Sequence, residues 1–303
     1  MTYKPLVTII IQTFNRVNIL PVALESAKNQ TYNNIEILIG DNHSQDGTDD
    51  YCLKEAEKDS RIRYFRHSEN IGMVGNANFL LDKVEGKYFI WLNDDDWLDL
   101  DYVEKGVEAF ETHPDYSFVV PSRILYDEDR KVLKSGKFVN LEYNTPQERV
   151  KSYFINMFED MVSGLFRTDI IREIKESNGV SLSGLYAEDL LFMMRFLLKG
   201  KALMIENTHM NKLEHGRTRI LKDTPIDIFN TKNIKESNYF DTICKNAVIV
   251  AQKENYTKKC LDEYEIKTLV NAIKYVLIDL HKKNKTYGKL NKLFTCVRIK
   301  FFD

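Results

Sequence analysis

The chain has 303 residues, 43% apolar and 12% aromatic, with a formal net charge of -2. That length and composition suit a globular protein with a substantial core, built as one large domain or two unequal ones, and the charge balance lacks the basic excess of a nucleic-acid binder. No apolar run reaches the roughly eighteen residues of a transmembrane helix, MTYKPLVTIII has no small-residue cleavage site, and Cys52, Cys244, Cys260 and Cys296 show no paired spacing, so the expectation is a cytoplasmic protein with ordinary thiols.

The first third alternates regularly. LVTIIIQTF from Leu6 is a nearly continuous β-branched run. A helical pattern with Leu20, Leu24 and Ala27 on one face follows, then a second strand, IEILIGDN, from Ile35. The polar turn HSQDGT leads into a helix carrying Tyr51 and Ala56. RIRYFRH from Arg61 reads as a third strand, 72–84 as a third helix and KYFIWL from Lys87 as a fourth strand. Apolar strands without alternation are buried on both faces, and helical crossovers between them make the sheet parallel. The pattern predicts a doubly wound α/β unit, which binds ligands at the carboxyl ends of its strands. The segment 118–204 mixes short strands with helices. Beyond about residue 225 glycine almost disappears, and YEIKTLVNAIKYVLIDLHKK carries Ile266, Leu269, Val270, Ile273, Val276, Leu277 and Leu280 at helical spacing.

The polar clusters fall at three strand ends: QTFN after the first strand, GDNHSQDGT after the second and NDDD (Asn93–Asp96) after the fourth. Three adjacent carboxylates at the mouth of a core repel one another. A hard divalent cation, Mg2+ or Mn2+, relieves that repulsion and can neutralise a diphosphate; the plain alternative is a solvated acidic turn capping a helix that begins near Leu98.

VTIIIQTFNR, EILIGDNHSQDGT, NIGMVGNAN, WLNDDDWL and AEDLLFMMRF, in this order, resemble the motifs of the family 2 glycosyltransferases over roughly residues 5–220. The resemblance implies a GT-A fold: a Rossmann-like doubly wound, mostly parallel sheet with a helical C-terminal extension. Residues 1–222 would form the catalytic domain, with nucleotide-sugar binding in about 1–115 and the acceptor side in about 116–222; 223–303 would be the helical extension.

Carried over by position, the resemblance puts Thr13, Asn15 and Arg16 against the nucleotide. Asp41 would accept from the base N–H, and Asp46 would be a turn residue. Asn70, Gly72 and Asn76 belong to a loop where glycine lets the backbone approach the donor. This loop lacks the arginine that the family usually shows. Asn93 and Asp94 would face the donor, with Asn93 standing where the family commonly has aspartate. Asp95, Asp96 and His215 would ligate the metal, and Arg217 or Arg219 would contact phosphate. In AEDLLFMMRF, Asp189 is the expected general base, with Glu188 as the alternate. Ser163 and Gly164 would shape the pocket.

The implied reaction is inverting transfer of a sugar from a nucleoside diphosphate donor, UDP-linked for preference, to a saccharide or lipid-linked saccharide acceptor in cell-surface polysaccharide assembly. Asn93 and the missing arginine keep open a nucleotide-sugar-binding protein that has lost transfer. A nucleotidyltransferase ranks last, because QTFNRVNIL has no glycine-rich loop. The tail HKKNKTYGKLNKLFTCVRIKFFD carries seven basic residues among interleaved apolar ones. It suits either a helix packed on the catalytic domain or peripheral contact with the inner face of an anionic membrane.

Overall fold

The computed structural model of the chain describes residues 4–213, apart from 128, 136–140, 147, 150–151, 154–162, 179–181 and 183–187. The expected C-terminal helices (223–303), the basic tail, His215, Arg217 and Arg219 lie outside the described residues.

The chain opens with four βα steps. β1 (Val7–Thr13), β2 (Ile35–Asp41), β3 (Ile62–Arg66) and β4 (Tyr88–Asn93) alternate with α1 (Leu20–Lys28), α2 (Thr48–Lys58) and α3 (Gly72–Leu81). These four strands are parallel, in the order β3-β2-β1-β4. β2 is buried at every position and β1 at all but Gln12, which is why neither shows a polar stripe.

The second half continues the same sheet. β5 (Trp97–Leu98) and α4 (Tyr102–Thr112) precede β6 (Tyr116–Tyr126) and β7 (Val132–Ser135); β8 (Leu165–Arg167), α5 (Thr168–Asn178), α6 (Glu188–Lys199) and β9 (Lys201–Leu213) complete the described chain. Beyond β4 the order runs β8-β6-β9-β5, with β7 on β6. β8 is antiparallel to both neighbours, whereas β6 and β9 run parallel with a register shift after Pro121. The middle region holds the short strands and helices the sequence suggests, in β7, β8, α5 and α6, but also two long strands, β6 with 11 residues and β9 with 13.

Two apolar layers sandwich the sheet. One packs Ile9, Ile11, Ile37, Ile39, Ile90 and Leu92 under α1 and α4. The other packs Ile10, Leu38 and Phe89 under α3 and α6, with a ring cluster of Phe89, Phe118, Phe166, Phe192 and Phe196. The helix expected from Leu98 begins instead at Tyr102. Trp97 and Leu98 are diverted into β5 by antiparallel pairing with Asn211 and Met210 of β9, a partner more than a hundred residues away that no local pattern announces.

Candidate active site

Side-chain-to-backbone bonds stitch the carboxyl ends of β1, β2 and β3 into one rim. Asn15 sits in the left-handed region (φ 54°) and is exposed. Its N–H donates to Ser44 Oγ at 2.8 Å, and its Oδ1 accepts from Gln45 N at 2.8 Å. Arg16 N donates to Thr48 Oγ1 at 3.3 Å and Val17 N to Asp46 Oδ2 at 3.0 Å. Burial tends to raise the Asp46 pKa, but bonds from the Thr48 hydroxyl and from the Val17 and Thr48 amides outweigh it and hold it below the usual carboxylate range. That fits the expected turn role of Asp46.

Asp41 is fully buried, and both its oxygens are engaged: Oδ1 accepts from Ser44 N at 2.9 Å and Oδ2 from the Tyr64 hydroxyl at 2.8 Å, with Arg66 Nε at 3.8 Å. Asn42, which sequence reasoning passed over, bridges the rim to the next loop. Its Nδ2 donates to Asn70 Oδ1 at 2.7 Å and its Oδ1 accepts from Ile71 N at 2.9 Å. Asn70 Oδ1 also accepts from Gly72 N at 2.9 Å, where Gly72 opens α3 at φ 76°, a backbone region that glycine enters without strain. Asn76 is buried: its Nδ2 donates to Gly40 O at 2.7 Å and its Oδ1 pairs with His67 Nε2 at 3.0 Å. It ties α3 to the end of β2 and presents no free amide to a ligand.

The acidic turn follows β4. Asp94 is half-buried and lies beside Thr13 and Arg16. Burial and the neighbouring Asp95 push its pKa up to about 6, against the Thr13 hydroxyl and the Arg16 charge. Thr13 Oγ1, buried at the end of β1, makes no hydrogen bond of good geometry, and neither does Gln12 Oε1. Strand alternation turns Gln12 to the face opposite Thr13, level with Gly40 and Asn93. That alternation is the signal that could have singled Gln12 out.

Asp96 is 1% exposed, and burial pushes its pKa up to about 6, opposed by Lys212. Its Oδ2 accepts from Asn93 Nδ2 at 2.8 Å and meets Lys212 Nζ, from β9, at 3.5 Å. Asn93 is exposed and spends its amide on this carboxylate. Among the described residues no three acidic, histidine or cysteine side chains gather as a metal cluster. The acidic turn is thus a crowded anionic pair, Asp94 and Asp95, on a buried Asp96–Lys212 anchor.

α6 carries EDLLFMMRF, the part of the expected acceptor-side motif that the structure describes. Phe196 meets Phe89 at 6.4 Å between centroids, and Phe192 meets both Phe89 and Trp91 at 6.4 Å. The helix therefore runs antiparallel to β4, and one further turn back brings Glu188 and Asp189 level with the end of β4. Their side chains lie outside what the structure describes. Ser163 is buried, its carbonyl accepting from the Tyr102 hydroxyl; Gly164 follows it just before β8. The structure thus brings Thr13, Arg16 and Asp94 together, sets Asp41, Asn70 and Asn76 into the supporting rim, and aims α6 at the acidic turn. Among the described residues no helix is long and apolar enough to cross a membrane.

The sequence model of glycosyl transferase family 2 matches residues 8–175. An uncharacterized glycosyltransferase of Rickettsia bellii is 34% identical over 138 residues, 46% of this chain and 19% of that protein. The glycosyltransferase GlyA of Streptococcus pneumoniae is 37% identical over 98 residues, 32% of this chain and 14% of that protein. A Campylobacter jejuni protein named GalNAc(5)-diNAcBac-PP-undecaprenol beta-1,3-glucosyltransferase is 36% identical over 95 residues, 31% of each chain. The chain matches less than a third of the length of each of these relatives. Among solved structures, Staphylococcus aureus TarS 1–349 in complex with UDP superposes with TM-score 0.62 at 16% identity, over 93% of this chain and 73% of that one. The mannosyltransferase PcManGT of Pyrobaculum calidifontis, with GDP-Man and Mn2+, gives TM-score 0.53 at 14% identity, over 99% of this chain and 88% of that one.

Proposed function

The chain belongs to glycosyl transferase family 2 and has the GT-A fold, and from that premise we propose that it is an inverting, metal-dependent glycosyltransferase that takes its sugar from a UDP-linked donor. The observation that carries the reading is the convergence of the β1 and β4 ends, where Thr13, Arg16, Asp94 and Asp95 meet, with α6 packed on β4 through Phe192, Phe89 and Trp91.

The donor set fits a hard divalent cation: two adjacent carboxylates, with Asp94 pushed up to about 6, and a buried Thr13 hydroxyl lacking a well-formed bond. Asp95 and Asp94 would hold Mn2+ or Mg2+, with His215 as a further ligand, and the ion would offset charge on the departing diphosphate. Asp96, an expected ligand, is assigned to the base of the turn, because it is 1% exposed and its Oδ2 already meets Asn93 and Lys212. Arg16 adds positive charge beside Asp94, and the rim built on Asp41, Asn42 and Asn70 shapes the nucleotide side. Asp189, with Glu188 as alternate, would take the acceptor hydroxyl proton as that oxygen attacks the anomeric carbon. The acceptor class is a saccharide or lipid-linked saccharide. The name of the Campylobacter relative, a glucosyltransferase acting on an undecaprenol-linked saccharide, supports that class; a role in cell-surface polysaccharide assembly at the cytoplasmic face completes the proposal.

Asn93, spending its amide inside the turn where a carboxylate is usual, favours a second reading: a sugar-nucleotide-binding protein without transfer. Thermal-shift titration of UDP, GDP and their sugars, with and without Mn2+, followed by an assay of donor turnover, tests both. Stabilisation by UDP with Mn2+ and turnover of a UDP-sugar is expected. Stabilisation without turnover selects the second reading, and no stabilisation by any nucleotide rejects both.

A further inference from the structure

Asn78 faces a different partner from Asn76. Its Nδ2 donates to Leu182 O at 2.9 Å, and its Oδ1 accepts from Leu182 N at 2.8 Å. One side-chain amide thus satisfies both polar groups of a single residue, 104 positions away, as a neighbouring strand would. Leu182 is 7% exposed and packs in the layer under α3 and α6, where water is a poor substitute partner. α3 itself packs on β1 and β2, and α6 packs on β6 and α5. Apolar contact through the shared layer does not by itself set the register of Leu182 against α3. A paired, directional amide fixes it. Asn76, two residues earlier, fixes the other end of the link through Gly40 O.

We propose that Asn78 is a positioning residue: by gripping the peptide groups of Leu182 it sets where the first turn of α6, carrying Asp189 and Glu188, stands over the acidic turn. The proposal rests on the glycosyltransferase reading above, since it assigns the base to α6. It makes α3 a strut between the donor rim and the acceptor side, held by one asparagine at each. A base displaced by about 1 Å loses on the order of 100-fold in rate without any change in what the donor touches.

The test uses the full chain as wild type, Asn78→Ala and Asn78→Asp. Asn78→Ala removes both bonds. Asn78→Asp keeps the acceptor for Leu182 N and sets a carboxylate against Leu182 O. Each is assayed with the best wild-type donor among UDP-glucose, UDP-galactose, UDP-GlcNAc and UDP-GalNAc, with saccharide acceptors and with water. Calorimetry gives the UDP affinity in Mn2+, and hydrogen exchange follows the amides of 182 and 188–193.

Both variants are expected to fold, to bind UDP within about twofold of wild type and to keep the donor KM, while kcat falls by about 10- to 100-fold and exchange at those amides quickens. Unchanged kcat overturns the proposal, as does a fall in kcat matched by an equal loss of UDP affinity. If Asn78→Ala fails to fold, Asn78→Asp alone decides on the same criteria. A wild-type chain that turns over no donor overturns the glycosyltransferase reading itself, a result separate from an unaffected variant beside an active wild type.

Discussion

The two halves of the sheet, which the proposed function assigns to the donor and to the acceptor, are held together on different length scales. Around β1, β2 and β3 the stitching bonds span about thirty positions: Asn15 to Ser44 spans 29, Gln45 to Asn15 spans 30 and Arg16 to Thr48 spans 32. In the other half they reach from about fifty to more than a hundred: Arg167 to Tyr116 spans 51, Tyr102 to Ser163 61, Ser117 to Lys201 84, Asn78 to Leu182 104, Thr208 to Asp101 107 and Asn211 to Asp99 112. Closing a longer loop costs more entropy, though the cost grows slowly with length. The contrast is therefore mainly one of information. A bond thirty positions long joins consecutive βα loops that the parallel repeat already brings together; a bond a hundred long joins segments that only the finished sheet juxtaposes. If the contrast is right, damage to the donor rim should lower nucleotide binding, and damage to the far half should spare binding and lower the chemistry.

Removing the proposed base should give the largest effect. Asp189→Asn should lower transfer by about 10²- to 10⁴-fold while leaving the UDP affinity unchanged. Steady-state kinetics beside calorimetry reads both quantities, and equal losses in the two would erase the division between halves.

Next comes the joint between the halves. Phe192 is 2% exposed and packs edge-to-face against Phe89, Phe166 and Trp91 and tilted against Phe196. Phe192→Ala should cost about 3–5 kcal/mol of stability. Since β4 belongs to both halves, denaturant unfolding should stay a single transition. Two separated transitions would show that the halves fold independently, a stronger separation than the shared aromatic layer allows.

Much of the donor half was legible in the sequence because its signals are local. VTIIIQT and IEILIGD are β-branched runs with polar clusters behind them, so strand positions and strand ends follow from the chain itself, and Thr13, Arg16, Asp94 and Asp95 fall where the sheet rule puts a site. The sequence pattern also picked out Asp41 and Asn76, but not that each spends its polar atoms on the protein: the Tyr64 and Ser44 partners of Asp41 come from a neighbouring strand and from the turn after its own. β5 was hidden because two residues have no periodicity of their own. Lys212 was hidden because nothing near it in sequence announces a carboxylate.

That ion pair gives the third prediction, which concerns pH. The folded-state pKa of Asp96 is about 6, above the unfolded value of roughly 3.9. Between those values the folded chain holds a proton that the unfolded chain lacks. Stability of the metal-free protein therefore rises, from this group, as pH falls from about 7 to about 4, by up to about 3 kcal/mol. Glu55, Asp59, Glu111 and Asp115 have lowered pKa values and oppose it. Their loss sets in mainly as pH falls below about 4, so the two windows separate. Denaturant unfolding in chelator, at pH 7 and pH 5, for wild type and Asp96→Asn measures this directly. Wild type should gain stability relative to the variant on going to pH 5, and parallel curves would show that Asp96 does not titrate in that range.

The smallest effect falls on the donor side and tests the contrast from its other end. Gly40 has no room for a side chain: a Cβ there would lie 2.3 Å from Asn76 Oδ1 and 2.7 Å from Leu80 Cδ1. Those atoms belong to α3, whose Asn76 also donates to Gly40 O at 2.7 Å. Gly40→Ala must therefore displace the Asn76 and Leu80 side chains of α3, at an expected cost of about 1–3 kcal/mol, and a shift of α3 away from β2 would be expected to reach the Asn42–Asn70 bridge at the start of the same helix. UDP affinity should fall along with stability, the reverse of the pattern expected for Asn78→Ala two residues beyond Asn76. Calorimetry on the pair decides the point, since one strut is being loosened at each of its two ends. A Gly40→Ala protein that binds UDP as wild type does would mean that α3 yields without disturbing the donor rim, and that the rim is carried by the β1 and β2 loops alone.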